Sequence, residues 1–233
     1  MKLYDESVIN VWSSLFKLDK YDDVIQREQY KEKFAKGSEE SQRLFNFVAR
    51  NLKETSRQKI LDIGCGGGLS FEMFPITHGI EPGDIRYAKA VKYADANDVI
   101  VVQGVAEAIP FPDKMFDAVL SLNAIEHARS DYEVMIEVNR VLKMGGMFIL
   151  TYQDAREKFV APTGRTYNGD HLVDRMKDYG FGLVEKRYYP GGSWGSGIAV
   201  EKLKDFDVKD LLKVQHVKRG KLWEIRNLIE PSL

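Results

Sequence analysis

Leu61-Asp62-Ile63-Gly64-Cys65-Gly66-Gly67-Gly68 is the stretch that decides the fold. It closes a short apolar run, Lys59–Ile63, that reads as a strand. Glycines after a strand let the backbone turn sharply and approach a ligand closely. In an open α/β sheet, the carboxyl end of a strand is where nucleotide-like ligands sit. A dinucleotide fingerprint fails here: counted from Gly64 its third glycine falls on Leu69, and counted from Gly66 its sixth residue is Phe71. A phosphate-cradling loop fails too, because Gly68-Leu69-Ser70 lacks the lysine. What remains is D-x-G-x-G-x-G, with an acid two residues before the first glycine.

Outward from this stretch, strands and helices alternate. His78–Glu81 reads as a strand ending at Pro82-Gly83, followed by a helix through Ile85, Ala88, Val91 and Tyr93. Val99–Gln103 is a β-branched run and Phe116–Leu122 a fourth strand. Asp131–Lys143 has helical spacing, with Met135, Val138, Val141 and Leu142 inward and Gly145-Gly146 expected to end it. Phe148–Tyr152 reads as a fifth strand, Asp170–Tyr179 as a helix, and Gly182–Tyr189 and Ile198–Leu203 as two strands joined by a Gly-rich hairpin. Upstream, Ser38 or Ser41 suits the N-cap of a helix whose inner face is Leu44, Phe45, Val48 and Leu52. Such alternation implies a parallel sheet with helices on both faces.

The 233 residues, 44% of them hydrophobic, suffice for one α/β core. Lys+Arg (34) and Asp+Glu (35) cancel to a net charge of −1, so no global field draws the chain to nucleic acid or acidic lipid. Cys65 stands alone, which excludes an internal disulfide. Met1 to Asn10 lacks the apolar run of a secretory signal, and no stretch reaches the ~18 apolar residues of a spanning helix. The expectation is a cytoplasmic protein with no membrane partner.

The glycine segment resembles motif I of the class I S-adenosylmethionine-dependent methyltransferases, in the small-molecule, type 11-like subgroup. The likeness continues in order along the chain. Gly79-Ile80-Glu81-Pro82 is similar to the segment whose acid binds the cofactor ribose; Glu81 lies 19 residues after Asp62. Gln103 to Phe111 resembles the adenine-side loop, and Phe116-Asp117-Ala118-Val119 with Ser121 to His127 the fourth-strand motif beside the transferable methyl. Leu142-Lys143-Met144-Gly145-Gly146 is similar to the turn before strand five. One position departs: Val105 stands where the family often has Asp, so Glu107 or backbone groups would have to serve the adenine amino group.

The resemblance implies a Rossmann-like three-layer sandwich: a seven-stranded, mostly parallel sheet with an antiparallel last strand, plus N-terminal helices. It implies a methyltransferase domain over 38–204, a helical cap over 1–37 and a C-terminal extension over 205–233. It implies S-adenosylmethionine as cofactor, S-adenosylhomocysteine as product, and no metal. The implied cofactor-binding residues are Asp62, Gly64, Cys65, Gly66, Glu81, Pro82, Arg86, Ala106, Glu107, Asn123 and Ala124, with Arg86 expected to cover the adenine ring. His127 is the candidate base, and Glu126 beside it is weighed for the same work.

A sulfonium methyl is already activated, so a base is needed only for an acceptor that holds its proton tightly. Several subclasses are pruned. The lone Cys65 is not in the fourth-strand region, where cytosine-carbon enzymes need a nucleophile, and Ser121-Leu122-Asn123-Ala124 lacks the prolines of nucleic-acid amino methyltransferases. A small-molecule acceptor remains, lined by aromatic or cationic residues among Tyr4, Trp12, Tyr21, Tyr30, Tyr152, Arg156, Tyr167 and Trp194. A homodimer stays open. So do three rivals: a nicotinamide oxidoreductase, a non-catalytic relative that binds the cofactor as a regulatory partner, and an RNA methyltransferase using the Lys-rich tail.

Overall fold

The computed structural model describes residues 39–52, 58–156, 165–189 and 196–207. The expected cap over 1–37, the Ser38 cap, the hairpin connection with Trp194, and nearly all of the C-terminal extension lie outside them.

Seven strands form one sheet in the order β3-β2-β1-β4-β5-β7-β6. They are β1 (Ile60–Ile63), β2 (His78–Glu81), β3 (Ile100–Gln103), β4 (Phe116–Leu122), β5 (Leu142–Tyr152), β6 (Phe181–Arg187) and β7 (Ser196–Lys202). All neighbours from β3 to β5 pair in parallel, and β7 runs antiparallel between β5 and β6. The sandwich with an antiparallel last strand is therefore as expected. From β1 the chain winds outward through β2 to β3, then returns to β4 on the other side of β1. The strand order reverses at β1 and β4, a switch point of the kind whose carboxyl ends form the ligand crevice of open α/β sheets.

Alternation along each strand builds two cores. Leu61, Ile63, Val119, Phe148, Leu150, Ile198 and Val200 face α4 (Asp131–Val141) and α5 (Gly169–Asp178), meeting Val134, Val138, Leu172 and Met176. Ile60, Leu120, Met147, Ile149 and Ala199 point the other way. There they meet α1 (Glu39–Asn51), α2 (Ser70–Met73) and α3 (Asp84–Asn97) through Phe47, Val48, Phe71, Ala90 and Ala94. Strands buried on both faces are what a parallel sheet requires.

Three local expectations are corrected. On α1 the buried face is Phe47, Val48 and Asn51, with Leu52 just beyond; Phe45 is 37% exposed and stacks on Phe74. Tertiary contacts set this rotation. Gly197 of β7 leaves room for the Phe47 ring, since a Cβ there would lie 2.6 Å from it. Asn51 and Arg50 also reach across to Glu185 of β6, at 2.8 and 2.6 Å. Secondly, Gly145-Gly146 does not end α4. The helix stops at Val141, and β5 begins at Leu142 with an irregular stretch before regular pairing resumes at Met147. A Cβ on Gly146 would come within 2.9 Å of the Lys143 carbonyl and 3.1 Å of that of Asp117, so the glycine serves the β4–β5 junction. Thirdly, α5 starts at Gly169, because Asn168 caps it by accepting from the N–H groups of Asp170 and His171.

A buried lysine seals the far end of α4. Lys202 Nζ donates to the carbonyls of Asn139 (2.6 Å) and Leu142 (2.9 Å) and pairs with Asp205 (2.8 Å). Carbonyls at the end of a helix lack intrahelical partners, and a cation there also meets the negative end of the helix dipole.

Candidate cofactor site

The glycine loop is set by β2. The N–H groups of Gly64 and Cys65 both donate to the Ile80 carbonyl, at 2.9 and 3.1 Å, which folds the loop over the end of the neighbouring strand. Two glycines carry distinct burdens. Gly64 has φ +70°, and a Cβ on it would lie 2.6 Å from Ala124 Cβ, so the loops after β1 and β4 touch here. Gly66 has φ +58°, yet a Cβ on it would meet nothing within 4 Å. Its backbone thus faces open space at the switch point. Cys65 instead turns into the core; its Sγ is 3.0 Å from where a Gly79 Cβ would be.

Two carboxyls support this loop. Glu81, at the end of β2, accepts from Gly66 N–H (2.9 Å, Oε2) and from Gly83 N–H (3.1 Å, Oε1). It is buried, which raises its pKa, while the Arg86 charge and those two backbone bonds oppose the rise. Asp62 is buried beneath, with Oδ2 accepting from the Ser70 hydroxyl at 2.5 Å. Its Oδ1 is buried without a hydrogen-bond partner among the described residues. Burial pushes the Asp62 carboxyl up to about 7; Ser70 opposes this and the neighbouring Glu81 charge adds to it.

The remaining expected residues lie on the segments that follow β2, β3 and β4. Asn123 ends β4 with φ +51°, a conformation Asn tolerates, and is fixed by Thr151 of β5. Its N–H donates to Thr151 Oγ1 (3.0 Å), whose hydroxyl returns a bond to Asn123 Oδ1 (2.7 Å). His127 is half-buried and closes a 3-10 turn, Ile125–His127, through its N–H on the Ala124 carbonyl. Pro82 is exposed, and Arg86 is near enough to Glu81 for its charge to act there. Ala106 sits in a tight turn bridged by Val105 and Ala108. Glu107 in that turn accepts from the N–H groups of Arg129 (2.5 Å) and Ser130 (3.2 Å). It thereby ties the adenine-side loop to the start of α4.

Residues 61–150 match the family model described as "Methyltransferase domain". Those residues resemble the domain of the class I, S-adenosylmethionine-dependent methyltransferases. Among curated relatives, a sterol 24-C-methyltransferase of Gibberella zeae is 36% identical over 112 residues, covering 44% of this chain and 30% of the relative. A fatty-acid O-methyltransferase of Mycolicibacterium smegmatis is 34% identical over 112 residues, covering 45% and 40%. The chain thus spans well under half the length of these relatives. An S-adenosylmethionine-dependent methyltransferase of Aquifex aeolicus shares the fold at TM-score 0.62 and 16% identity, over 81% of this chain and 98% of that one. One from Thermotoga maritima does so at TM-score 0.56 and 21% identity, over 75% and 95%.

The site of this methyltransferase domain suits the cofactor's chemistry. S-adenosylmethionine presents a ribose diol, an ammonium and a sulfonium, all of which seek acceptors or negative charge. The crevice offers two buried carboxyls, one with an unpartnered oxygen, around a backbone with open space before it. Among the described residues, no group of three or more His, Cys, Asp or Glu comes together as a metal cage would need. Two residues that hold the site escaped the sequence reading: Ser70, which pins Asp62, and Thr151, which pins Asn123. A hydroxyl two residues after the glycine run, at a helix start, was the available signal for Ser70.

Three expected acceptor linings have partners within the fold. Tyr152 and Tyr167 are buried and pack edge-to-face in the core. Arg156 is bound to the fully buried Asp154 (2.6 Å) and lies over the Tyr188 ring (3.6 Å). The other candidate linings are outside the described residues.

Proposed function

We propose that this protein transfers a methyl group from S-adenosylmethionine to an apolar small-molecule acceptor by in-line displacement. The observation that carries the reading is the Glu81 carboxylate bound to the Gly66 N–H, joining the ends of β1 and β2 beside open space. A carboxylate there suits a ribose diol, since it accepts several hydrogen bonds at once. Bound in the crevice, the cofactor supplies a methyl on a positively charged sulfur that needs no further activation. The chain's own work is then to bind and orient. Gly64 and Gly66 bring the backbone close, Asp62 offers its unpartnered oxygen, and Glu81 takes the ribose. Cys65, Pro82, Arg86, Ala106, Glu107, Asn123 and Ala124 complete the proposed set, with His127 as the proposed base. Positioning of this kind can supply roughly 7–11 kcal/mol of a displacement barrier in favourable cases.

The apolar acceptor is supported by the names of the matched relatives, which act on sterols and a fatty acid. Segments 1–37 and 205–233 are proposed to flank the domain at 38–204, with 1–37, 153–169 and the Gly-rich hairpin supplying part of the acceptor's surroundings. Among the described residues no helix is long and apolar enough to cross a membrane. The test is transfer of a labelled methyl to a sterol and to an unsaturated fatty acid. Label in either lipid product supports the reading. Cofactor binding without transfer to any lipid would instead favour the regulatory relative.

A further inference from the structure

Beyond the cofactor crevice, one buried carboxyl has no work to do in the fold. Glu126 lies on the turn Ile125–His127 and is 1% exposed. Both of its carboxylate oxygens are buried without a hydrogen-bond partner, and among the described residues no other carboxyl is left so completely unpaired. Burying an unpaired charge costs several kcal/mol, so a fold that keeps one invites a ligand that completes it.

Its surroundings do not neutralise it. The segment after β5 crosses the turn: Arg165 N–H donates to the Glu126 carbonyl (3.0 Å), and the Tyr167 hydroxyl donates to the Ile125 carbonyl (3.3 Å). The nearby cations are engaged elsewhere. Arg175 pairs with Asp131 (2.9 Å), and Arg165 leans on Asp131 (3.7 Å) and on the Ala128 carbonyl. His127, Tyr167, Asp131, Arg165 and Arg175 are thus the titratable and charged groups around it. Burial alone pushes the Glu126 carboxyl up to about 7, with only its own backbone opposing.

Its place in the sheet says what the missing partner is. Glu81 marks the ribose end of the crevice above β2. Crossing the sheet through β1, the cofactor's reactive end must come to Asn123 and Ala124 after β4. Glu126 lies in the turn just after them, crossed by the segment that follows β5, and so at the reactive end rather than the ribose end. This argument rests on the methyltransferase reading above.

We propose that Glu126 contacts the methyl acceptor and that the acceptor group is a hydroxyl on an apolar body. Its carboxylate accepts a hydrogen bond from that hydroxyl. As the acceptor oxygen bonds to the methyl carbon, the methyl–sulfur bond breaks with its electron pair going to sulfur. The hydroxyl proton passes to Glu126, which takes the base's part in place of His127 and later releases it to water.

The test uses the full chain saturated with S-adenosylhomocysteine and three probes: 1-octanol, its methyl ether and octylamine. Wild type should bind octanol at least tenfold tighter than the ether, the scale of a hydrogen bond to a charged group. Glu126→Leu should abolish that preference, and Glu126→Gln, which keeps one acceptor oxygen, should retain part of it. Both variants should bind S-adenosylhomocysteine as wild type does, which shows that they fold. Equal binding of octanol and ether by wild type, or an unchanged preference in Glu126→Leu, would overturn the proposal. Tighter binding of octylamine would overturn the hydroxyl assignment. Failure of wild type to bind S-adenosylhomocysteine would instead sink the methyltransferase reading itself.

Discussion

Gly64 and Gly66 are two residues apart, share a left-handed backbone, and should fail in opposite ways when given a methyl group. At Gly64, φ +70° costs an alanine about 1–2 kcal/mol. Its Cβ would also lie 2.6 Å from Ala124 Cβ, well inside carbon–carbon contact, with backbone on both sides. Overpacking of that kind adds about 1–3 kcal/mol, for roughly 2–5 kcal/mol in all. At about 2–4 °C per kcal/mol for a domain of this size, Gly64→Ala should lower Tm by roughly 4–20 °C. Gly66→Ala has the backbone term only, about 1–2 kcal/mol, because nothing lies within 4 Å of its Cβ. Its Tm should fall by roughly 2–8 °C. Its added carbon stands in the space assigned to the cofactor, so affinity for S-adenosylhomocysteine should drop at least tenfold, about 1.4 kcal/mol. Scanning calorimetry and titration calorimetry on both variants read the two effects separately. Unchanged affinity in Gly66→Ala, or a Gly64→Ala no less stable than Gly66→Ala, would refute the reasoning.

Glu81→Ala should weaken cofactor binding by about 1.5–3 kcal/mol, the range for a charged hydrogen bond; a calorimetric loss below about 0.3 kcal/mol would remove Glu81 from the ribose role. Glu126 titrates near 7 in the fold against an ordinary 4.5. The native state therefore holds a proton that the unfolded chain has released, and this contribution to stability is lost as pH rises from about 5 to 7. Glu126→Gln should match wild type most closely at pH 5 and exceed it by up to about 3 kcal/mol at pH 8 in urea unfolding; an equal difference at both pH values would contradict this. Comparing variant with wild type cancels the opposite-signed contribution of His78, whose lowered pKa favours the fold as pH rises. Lys202→Met strands the carbonyls of Asn139 and Leu142 and should cost about 2–4 kcal/mol; an unchanged Tm would show that they find other donors.

Where local signals and tertiary pairing agreed, the chain was legible residue by residue. His78–Glu81 and Phe116–Leu122 are strands with those very bounds, because apolar runs end at Pro82-Gly83 and at Asn123. Where they competed, pairing won. Gly145-Gly146 carries a helix-stop signal, but Leu142 already pairs with Phe116 of β4. Spacing places Phe45 inward, whereas the gap at Gly197 takes the Phe47 ring instead. The placing of Asp62, the glycines and Glu81 together at the ends of β1 and β2 was readable because their order along the chain is fixed by the strands that carry them. Glu107, read with backbone groups as an alternative to the acid missing at Val105, also accepts from Arg129 and Ser130, a contact between distant loops that spacing does not encode. The isolation of Glu126 is likewise a property of its neighbours, and no pattern in Ala124-Ile125-Glu126-His127 announces it.

The central claim is that the crevice between β1 and β4 holds S-adenosylmethionine. Titration calorimetry with S-adenosylmethionine and S-adenosylhomocysteine, with NADH as control, tests it most directly. The account predicts micromolar binding of both sulfur compounds, about −8 kcal/mol, and none of NADH. Binding of NADH with neither sulfur compound bound would contradict it.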